Sequence, residues 1–582
     1  MNNLHYSDEK NILLMVALLK AHNIRRVIAS PGTTNITFIG SLMHDPFFEM
    51  YSSVDERSAA YIACGMAEES GEPVVISCTG ATASRNYLPG LTEAYYRKLP
   101  VLAITSTREE CKIGHLIDQQ IDRTQIPKDA CVCSEHLQVI KDDEDMWNCT
   151  IKINRAILAL RQHGGGPTHI NLPTTYSKNF SVLSLPKVRK ISRYYPLDNL
   201  PKITQKKVAV FIGTHKKMRD EEILAIDKFC ECYNAVVFRD ICSGYHGKYG
   251  LNHGMLSGDE CLLMDLLIYI GEVSAAAYSC KPKEVWQVSE DGELRDTYRK
   301  LTNVFEMSEF YFFTQYVKGK ETIPTTYYKE CFKKYDDIQS RIQDVPFSNG
   351  WITNYLRNRM PHNSILHLGI ASTLYSWNSY NIADSINVNQ GGFGIDGNMS
   401  SLLGAALVHP EKLCFCVLGD LAFFYDMNVL GNRHINKNIR ILLINNGNGV
   451  IFRKPGNIGS IFEDETPIYI SASGHFGNQS HTLVKSYAES LGFEYMSASE
   501  KDDFIINVGK FLKEEMSDKP MLFEVFVTTE NEIKGDKNKP PRDGLKKMIH
   551  DFIGPQAYNV IKGIVKPDKN GQMSIDKSGS NK

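Results

Sequence analysis

The chain has 582 residues, with 65 basic and 67 acidic side chains and a formal charge of -2 at pH 7. That length exceeds one hydrophobic core and predicts about three or four domains, and with no long run of one sign, nucleic acid and membrane surfaces are not expected partners. The opening "MNNLHYSDEKNILLMVALLK" lacks the features of a signal peptide, and no apolar run reaches membrane-spanning length, so a soluble cytoplasmic protein is expected.

From Asn11 to about Leu185, apolar runs such as "RRVIAS", "PVVISCT", "VLAITS" and "THINLP" alternate with helix-like stretches, the pattern of a parallel sheet covered by helices. A polar, Pro-containing stretch from Pro186 to Gln205 precedes a second block that opens at "KKVAVFIGTH" and runs to about Val317. A charged stretch leads to a third block near Asn349, with "SILHLGI", "DSINVN", "KLCFCVLGD", "IRILLIN" and "MLFEVFV" as buried strands. The expected fold is therefore three doubly wound parallel-sheet α/β domains over residues 1–185, 186–330 and 331–555, then a flexible tail over 556–582 too poor in apolar residues to pack. Most of the 14 cysteines lie inside apolar runs and read as small buried hydrophobes; Cys131/Cys133 and Cys230/Cys232 are C-x-C pairs without zinc-like companions.

One junction carries chemistry. In "CFCVLGDLAFFYDMN" a buried strand ends in Gly419-Asp420 and restarts as a helix. Ligands of parallel sheets sit beyond the carboxyl ends of the strands, where a glycine lets backbone approach a ligand and a carboxylate offers a hard oxygen. The segment from Ala422 to Ile444 accommodates one helix and one strand, after which comes "NNGNGVIF", so the adjacent strand ends beside the first. There the Asn446 amide oxygen and the Asn448 carbonyl can join Asp420 around one Mg2+. Asp420 alone reads as a helix cap, and Asn445-Asn446 alone as a turn. Together they are similar to the thiamine-diphosphate fingerprint, G-D-x followed by N-N.

That resemblance implies a second half-site in another domain, holding the aminopyrimidine. In "YSSVDERSAAYIACGMA" Glu56 begins a helix that Asp55 can cap, so its ordinary role is a first-turn acid. The resemblance makes it the carboxylic acid that shares a proton with N1' of the aminopyrimidine and so activates the cofactor. It also implies that Gly394, Ile395, Gly419, Asp420, Leu421, Asn446, Val450 and Ile451 contact thiamine diphosphate, with Ile395 propping its bent shape.

"IASPGTTN", "DERSAAYIACGMA", "CTGATASRNYLPG", "ITSTRE", "IDQQID" and "NQGGFGIDGNMSSLLGAAL" sharpen the likeness. They resemble the menaquinone-pathway family of 2-succinyl-5-enolpyruvyl-6-hydroxy-3-cyclohexene-1-carboxylate synthases, in order across the outer two domains. That family joins decarboxylated 2-oxoglutarate to isochorismate and binds their carboxylates with arginines, whose fork suits them. Here Thr34 and Gln390 stand at two such arginine positions, and Tyr375 is nearest the third, while Arg108 and Gln119 match. Three replaced arginines point to a substrate with fewer carboxylates.

In "GHLIDQQ", His115 is present but Asp118-Gln119 occupy the place of the His-His pair of simple 2-oxoacid decarboxylases. His115 is a candidate proton carrier and equally a satisfied surface or core histidine. The lone Gly213 after "VAVFI" falls short of a dinucleotide fingerprint, so the central domain reads as a spacer without flavin. The expected protein is a Mg2+ and thiamine-diphosphate enzyme that decarboxylates a 2-oxoacid and transfers the acyl anion to an acceptor. Glu56, Gln119 and His115 are its candidate catalytic residues, and Thr34, Arg108, Gln119, Gln390 and Tyr375 face substrate. The resemblance implies a homodimer or a dimer of dimers, since the pyrimidine and diphosphate halves of a site come from different subunits. The alternatives are the menaquinone-pathway synthase itself, a simple decarboxylase, and a non-catalytic cofactor-binding relative.

Overall fold

The structure is a computed structural model that describes residues 5–124, 126–274, 279–340, 345–380, 386–454, 457–471 and 480–536, with the backbone of two short strands beyond. The chain folds as three α/β domains built on parallel sheets. In the first, β1 (Arg26–Ala29), β2 (Glu49–Ser52), β3 (Val74–Cys78), β4 (Val101–Thr107), β5 (Cys133–His136) and β6 (Thr168–Pro173) lie in the order β2-β1-β3-β4-β6-β5. Every pairing is parallel. β3, β4 and β6 are buried at every position, as continuous apolar runs require when helices cover both faces.

Two compact units emerge, Met1–Leu200 with Asp291–Glu306, and Pro201–Glu290 with Met307–Lys582. The first unit adds a parallel pair, β7 (Ser192–Tyr194) with β13 (Leu301–Glu306). The second contains the central strands β8 (Val208–Ile212), β9 (Val236–Arg239), β10 (Gly250–Asn252), β11 (Leu263–Ile270) and β12 (Lys281–Ser289), in the order β10-β9-β8-β11-β12. It also contains the third sheet, β14 (Ile365–Leu368), β15 (Ile386–Val388), β16 (Cys414–Gly419), β17 (Ile439–Asn445), β18 (Glu494–Ala498) and β19 (Met521–Phe526), ordered β15-β14-β16-β17-β19-β18.

The first and third sheets thus share one topology, and strand order reverses between β1 and β3 and between β14 and β16. Such switch points open crevices at the carboxyl ends of the strands, where ligands bind. Gly213, after β8, has a protein reason to lack a side chain, because a Cβ there would overlap the Glu272 carbonyl. All 14 cysteines are free; Cys111 is exposed, Cys133 half-buried and the others buried. Among the described residues no helix is long and apolar enough to cross a membrane. The tail expected over 556–582 lies outside the described residues, apart from an antiparallel backbone pair, Val565–Pro567 with Met573–Ile575.

The helix Glu56–Ser70 packs on the helix Leu88–Tyr96 through Gly90, whose carbonyl accepts the Cys64 thiol at 3.3 Å. A Cβ on Gly90 would overlap Ala60 Cβ and lie 2.9 Å from the Ala60 carbonyl carbon. Overpacking costs about 1–3 kcal/mol, more than the ~1 kcal/mol that alanine gains in helix propensity. Gly90→Ala is expected to lower stability by about 1–2 kcal/mol, read as a reduced urea midpoint with unchanged slope.

Candidate active site

β16 and β17 run side by side, with Gly419 opposite Ile444, so both strands deliver their following residues to the same edge. Asp420 is the first residue of the helix Asp420–Asp426 and is 2 % exposed. It does not cap that helix in the usual way: the N-cap position is Gly419, and Asp420 Oδ1 accepts the next amide, Leu421, at 2.8 Å. Its Oδ2 is buried without a hydrogen-bond partner among the described residues. Burial pushes the Asp420 pKa up to about 7, while the amides of Leu421, Gly447 and Asn448 pull the other way.

The turn after β17 is held by a second buried acid. Asn445 donates from Nδ2 to Glu524 Oε1 at 2.8 Å and accepts the Gly447 amide at 3.2 Å. Tyr495 donates to the other Glu524 oxygen at 2.8 Å. Burial raises the Glu524 pKa, and the bonds from Asn445 and Tyr495 restrain the rise. Gly447 takes φ 66°, the left-handed region that favours glycine. Asn446 Oδ1 then accepts the Asn448 amide at 3.0 Å, and Asn448 Oδ1 accepts Ser471 Oγ at 2.6 Å. The Asn448 carbonyl accepts the Val450 amide at 2.9 Å and retains a second lone pair.

This donor set fits a hard divalent cation with few protein ligands. Asp420 contributes an oxygen that is buried and unsatisfied, a costly state for a carboxylate unless something compensates it. The Asn446 and Asn448 oxygens lie on the adjoining turn and are of the type Mg2+ prefers. A Cβ on Gly419 would meet nothing within 4 Å, and its φ of -81° suits any residue, so neither packing nor backbone demands glycine there. Of the other residues expected at the cofactor, Gly394, Ile395, Leu421 and Ile451 are half-buried and Val450 is buried. Ile395 packs against the apolar clusters on both sides of the third sheet.

In the first unit, Asp55 caps the helix Glu56–Ser70, accepting the Arg57 and Ser58 amides at 3.3 and 3.2 Å. Capping by Asp55 leaves Glu56 half-buried, with one bond from Asn86 Nδ2 at 3.2 Å. Arg108, just beyond β4, donates to the Tyr176 hydroxyl at 3.1 Å and pairs with Asp118 at 3.3 Å. His115 and Gln119 are exposed on the same loop.

Two of the expected substrate residues have their polar atoms committed to protein. The Thr34 hydroxyl is buried, bonded to Thr79, to the Ser106 carbonyl at 3.1 Å and to the Gly80 amide at 3.3 Å. Gln390 is 1 % exposed, donating to Asp240 Oδ2 at 3.1 Å and accepting the Cys242 thiol at 3.0 Å. Tyr375 is half-buried on the helix Ser372–Trp377.

Backbone strain marks both switch points. Ala81, at the N-cap of the helix after β3, has φ 55° and ψ -127°. Ala371, after β14 on the other strand of its switch point, has φ 65° and ψ -121°. Such conformations cost about 1–3 kcal/mol each and cluster at ligand sites. Sequence reasoning missed both, and it missed Glu524, although a lone charge inside the apolar strand "MLFEVFV" was a visible signal.

The family model "Thiamine pyrophosphate enzyme, N-terminal TPP binding domain" matches residues 13–126. The 2-succinyl-5-enolpyruvyl-6-hydroxy-3-cyclohexene-1-carboxylate synthase of Bacteroides fragilis (strain YCH46) is 31% identical over 581 residues, covering 94% of this chain and 100% of the relative. The enzyme of that name from Bacteroides thetaiotaomicron is 30% identical over 94% of this chain and 99% of its own. That from Flavobacterium johnsoniae is 27% identical over 89% and 96%.

The folded, metal-free chain keeps the Asp420 proton up to about pH 7, whereas the unfolded chain releases it near the ordinary value of 3.8. Between those values the folded state binds more protons, so this group's contribution to stability falls as pH rises and levels off above the folded pKa. Asp420→Asn is expected to flatten that fall and to stabilise the metal-free protein by about 1–3 kcal/mol above neutral pH, measured by urea unfolding at acid and alkaline pH with chelator present.

Proposed function

Because the chain belongs to the 2-succinyl-5-enolpyruvyl-6-hydroxy-3-cyclohexene-1-carboxylate synthase family of thiamine-diphosphate-dependent enzymes, we propose that it uses Mg2+ with that cofactor to decarboxylate a 2-oxoacid and pass the acyl fragment to an acceptor carbonyl or alkene. The observation that carries the reading is the buried, unpartnered Oδ2 of Asp420 beside the turn that bears Asn446 and Asn448. When bound, thiamine diphosphate supplies the nucleophilic carbon and the electron sink that decarboxylation needs.

This chain's residues supply position and protons. Asp420, Asn446 and the Asn448 carbonyl would hold Mg2+ and, through it, the diphosphate. Asp420 would give up its proton on binding the cation, which turns an unsatisfied oxygen into a ligand. Glu524 would keep the metal turn in register by gripping Asn445. Glu56 would hold a proton at the aminopyrimidine N1', a task for which the separate cap at Asp55 leaves it free. Ile395 would press on the cofactor from a position braced by two apolar clusters. Arg108 and Gln119 would face substrate, with His115 on the same loop as a proton carrier, and the active form would be a homodimer or a dimer of dimers.

A second reading, the menaquinone-pathway synthase itself, draws support from 31% identity along nearly the whole chain. The commitment of Gln390 and Thr34 to protein partners favours a donor and acceptor with a different carboxylate pattern. Turnover of 2-oxoglutarate with isochorismate separates the two readings, and a screen of 2-oxoacids for CO2 release, with and without aldehydes, identifies the donor.

Calorimetry is expected to show thiamine diphosphate binding that depends on Mg2+; its absence would overturn the cofactor assignment. Glu56→Gln is expected to retain that binding and to lower 2-oxoacid turnover roughly 100-fold or more. Undiminished turnover would remove Glu56 from the mechanism.

A further inference from the structure

The loop that follows Gln119 contains a buried arginine. Arg123 is 6 % exposed, and its Nε and Nη1 are buried with no hydrogen-bond partner among the described residues. Its Nη2 lies over Gly80, where a Cβ would come within 3.2 Å. Burial lowers the Arg123 pKa to about 10, with the Arg85 charge acting in the same direction. Nearby, at the end of β5, His136 has both ring nitrogens buried without a hydrogen-bond partner. Burial lowers its pKa, the charges of Lys152 and Arg123 act the same way, and Glu110 and Asp122 oppose them. Glu110 stands 3.9 Å from His136 Nε2, and Asp122 accepts the Thr124 amide and hydroxyl at 3.0 and 2.7 Å.

The place is as informative as the charge. Gly80 follows β3, and a Cβ there would also touch the carbonyls of Ser106, near the end of β4, and Gln119. Arg123 therefore sits at the carboxyl edge of the first sheet, where α/β folds bind ligands. Glu56 shares that edge, for Cys78 feels the charges of both Arg123 and Glu56. Buried guanidinium groups are almost always paired, and a planar fork with free donors matches a carboxylate.

We propose that Arg123 is a carboxylate-binding residue of the substrate site, taking the carboxylate of a small organic acid with His136 as a neighbouring hydrogen-bond donor. The inference rests on the proposed function for the identity of that acid as substrate, and on Arg123 alone for its charge. It supplies from a different loop the kind of cation lost at Thr34.

The test uses the full chain without cofactor, with pyruvate, 2-oxoglutarate, succinate and benzoate as probes and inorganic phosphate as control. The carboxylates are expected to raise the melting temperature of the wild-type protein, more than phosphate does. Arg123→Gln is expected to melt no lower than wild type without anion, because it removes an unpaired buried charge, and to weaken carboxylate binding at least tenfold by calorimetry. Arg123→Lys, which keeps the charge and loses the fork, is expected to bind with intermediate affinity. In turnover, Arg123→Gln is expected to raise KM for the carboxylate substrate at least tenfold with thiamine diphosphate affinity unchanged. A response confined to 2-oxoacids assigns the donor's carboxylate to Arg123, and one shared with succinate and benzoate assigns the acceptor's. No carboxylate response in wild type, an equal response in Arg123→Gln, or a variant that melts lower or fails to fold would overturn the proposal. Failure of thiamine diphosphate to bind while the carboxylate response persists would overturn the proposed function and leave Arg123 as an anion site.

Discussion

The parallel register of β16 with β17 is the constraint on which the candidate metal site depends. Parallel strands can exchange backbone hydrogen bonds only while both continue, and here Gly419 and Ile444 are the last partners. Beyond them β16 turns into a helix and β17 runs one residue further, paired with β19, before its turn, so the residues leaving both strands lie at one edge and can share a ligand. Asp420 enters a helix, and Asn445 is drawn to Glu524 on β19, the next strand over. Three strands thus cooperate in presenting one carboxylate, one amide and one carbonyl.

The same edge shows how buried polarity is distributed. Glu524 is enclosed and satisfied, gripped by Asn445 and Tyr495, so its carboxylate stiffens the turn. Asp420 is enclosed and left with one free oxygen. A protein interior tolerates the first arrangement indefinitely, whereas the second carries a cost that a proton or a cation on the free oxygen would relieve. Comparing the two acids separates scaffold from site better than burial does, since both are almost wholly removed from solvent.

The polar groups of Thr34 and Gln390, residues expected at the substrate, follow a similar division. Thr34 ties together the segments that follow β1 and β3 and the end of β4, and Gln390 ties the third domain to Asp240 and Cys242 in the central one. Short neutral side chains at these positions find partners in the protein itself, which an arginine directed at a substrate would not. At the edge of the first sheet, by contrast, Arg123 lies buried with donors that find no partner among the described residues.

Strand runs, their alternation with helices and the pairing of Gly419-Asp420 with Asn445-Asn446 were legible in the sequence, because apolar burial on two faces and chain exit at strand ends are local properties. The cap at Asp55 was legible for a related reason, as an acid just before a helical run, and the structure gives Asp55 that work. Tertiary structure alone decided which polar groups are spent and which are left over. Thr34 and Gln390 were expected to face substrate and have their polar atoms committed to partners 46 and 150 residues away. Arg123, in an unremarkable polar stretch, is revealed only when Gly80 is seen beneath it. The sequence by itself determined the parallel sheets and the meeting of Asp420 with the turn after β17 at one sheet edge, since spacing along one strand and the next encodes both. Whether a given donor or acceptor finds a partner depends on segments distant in the chain, and only their packing decides that.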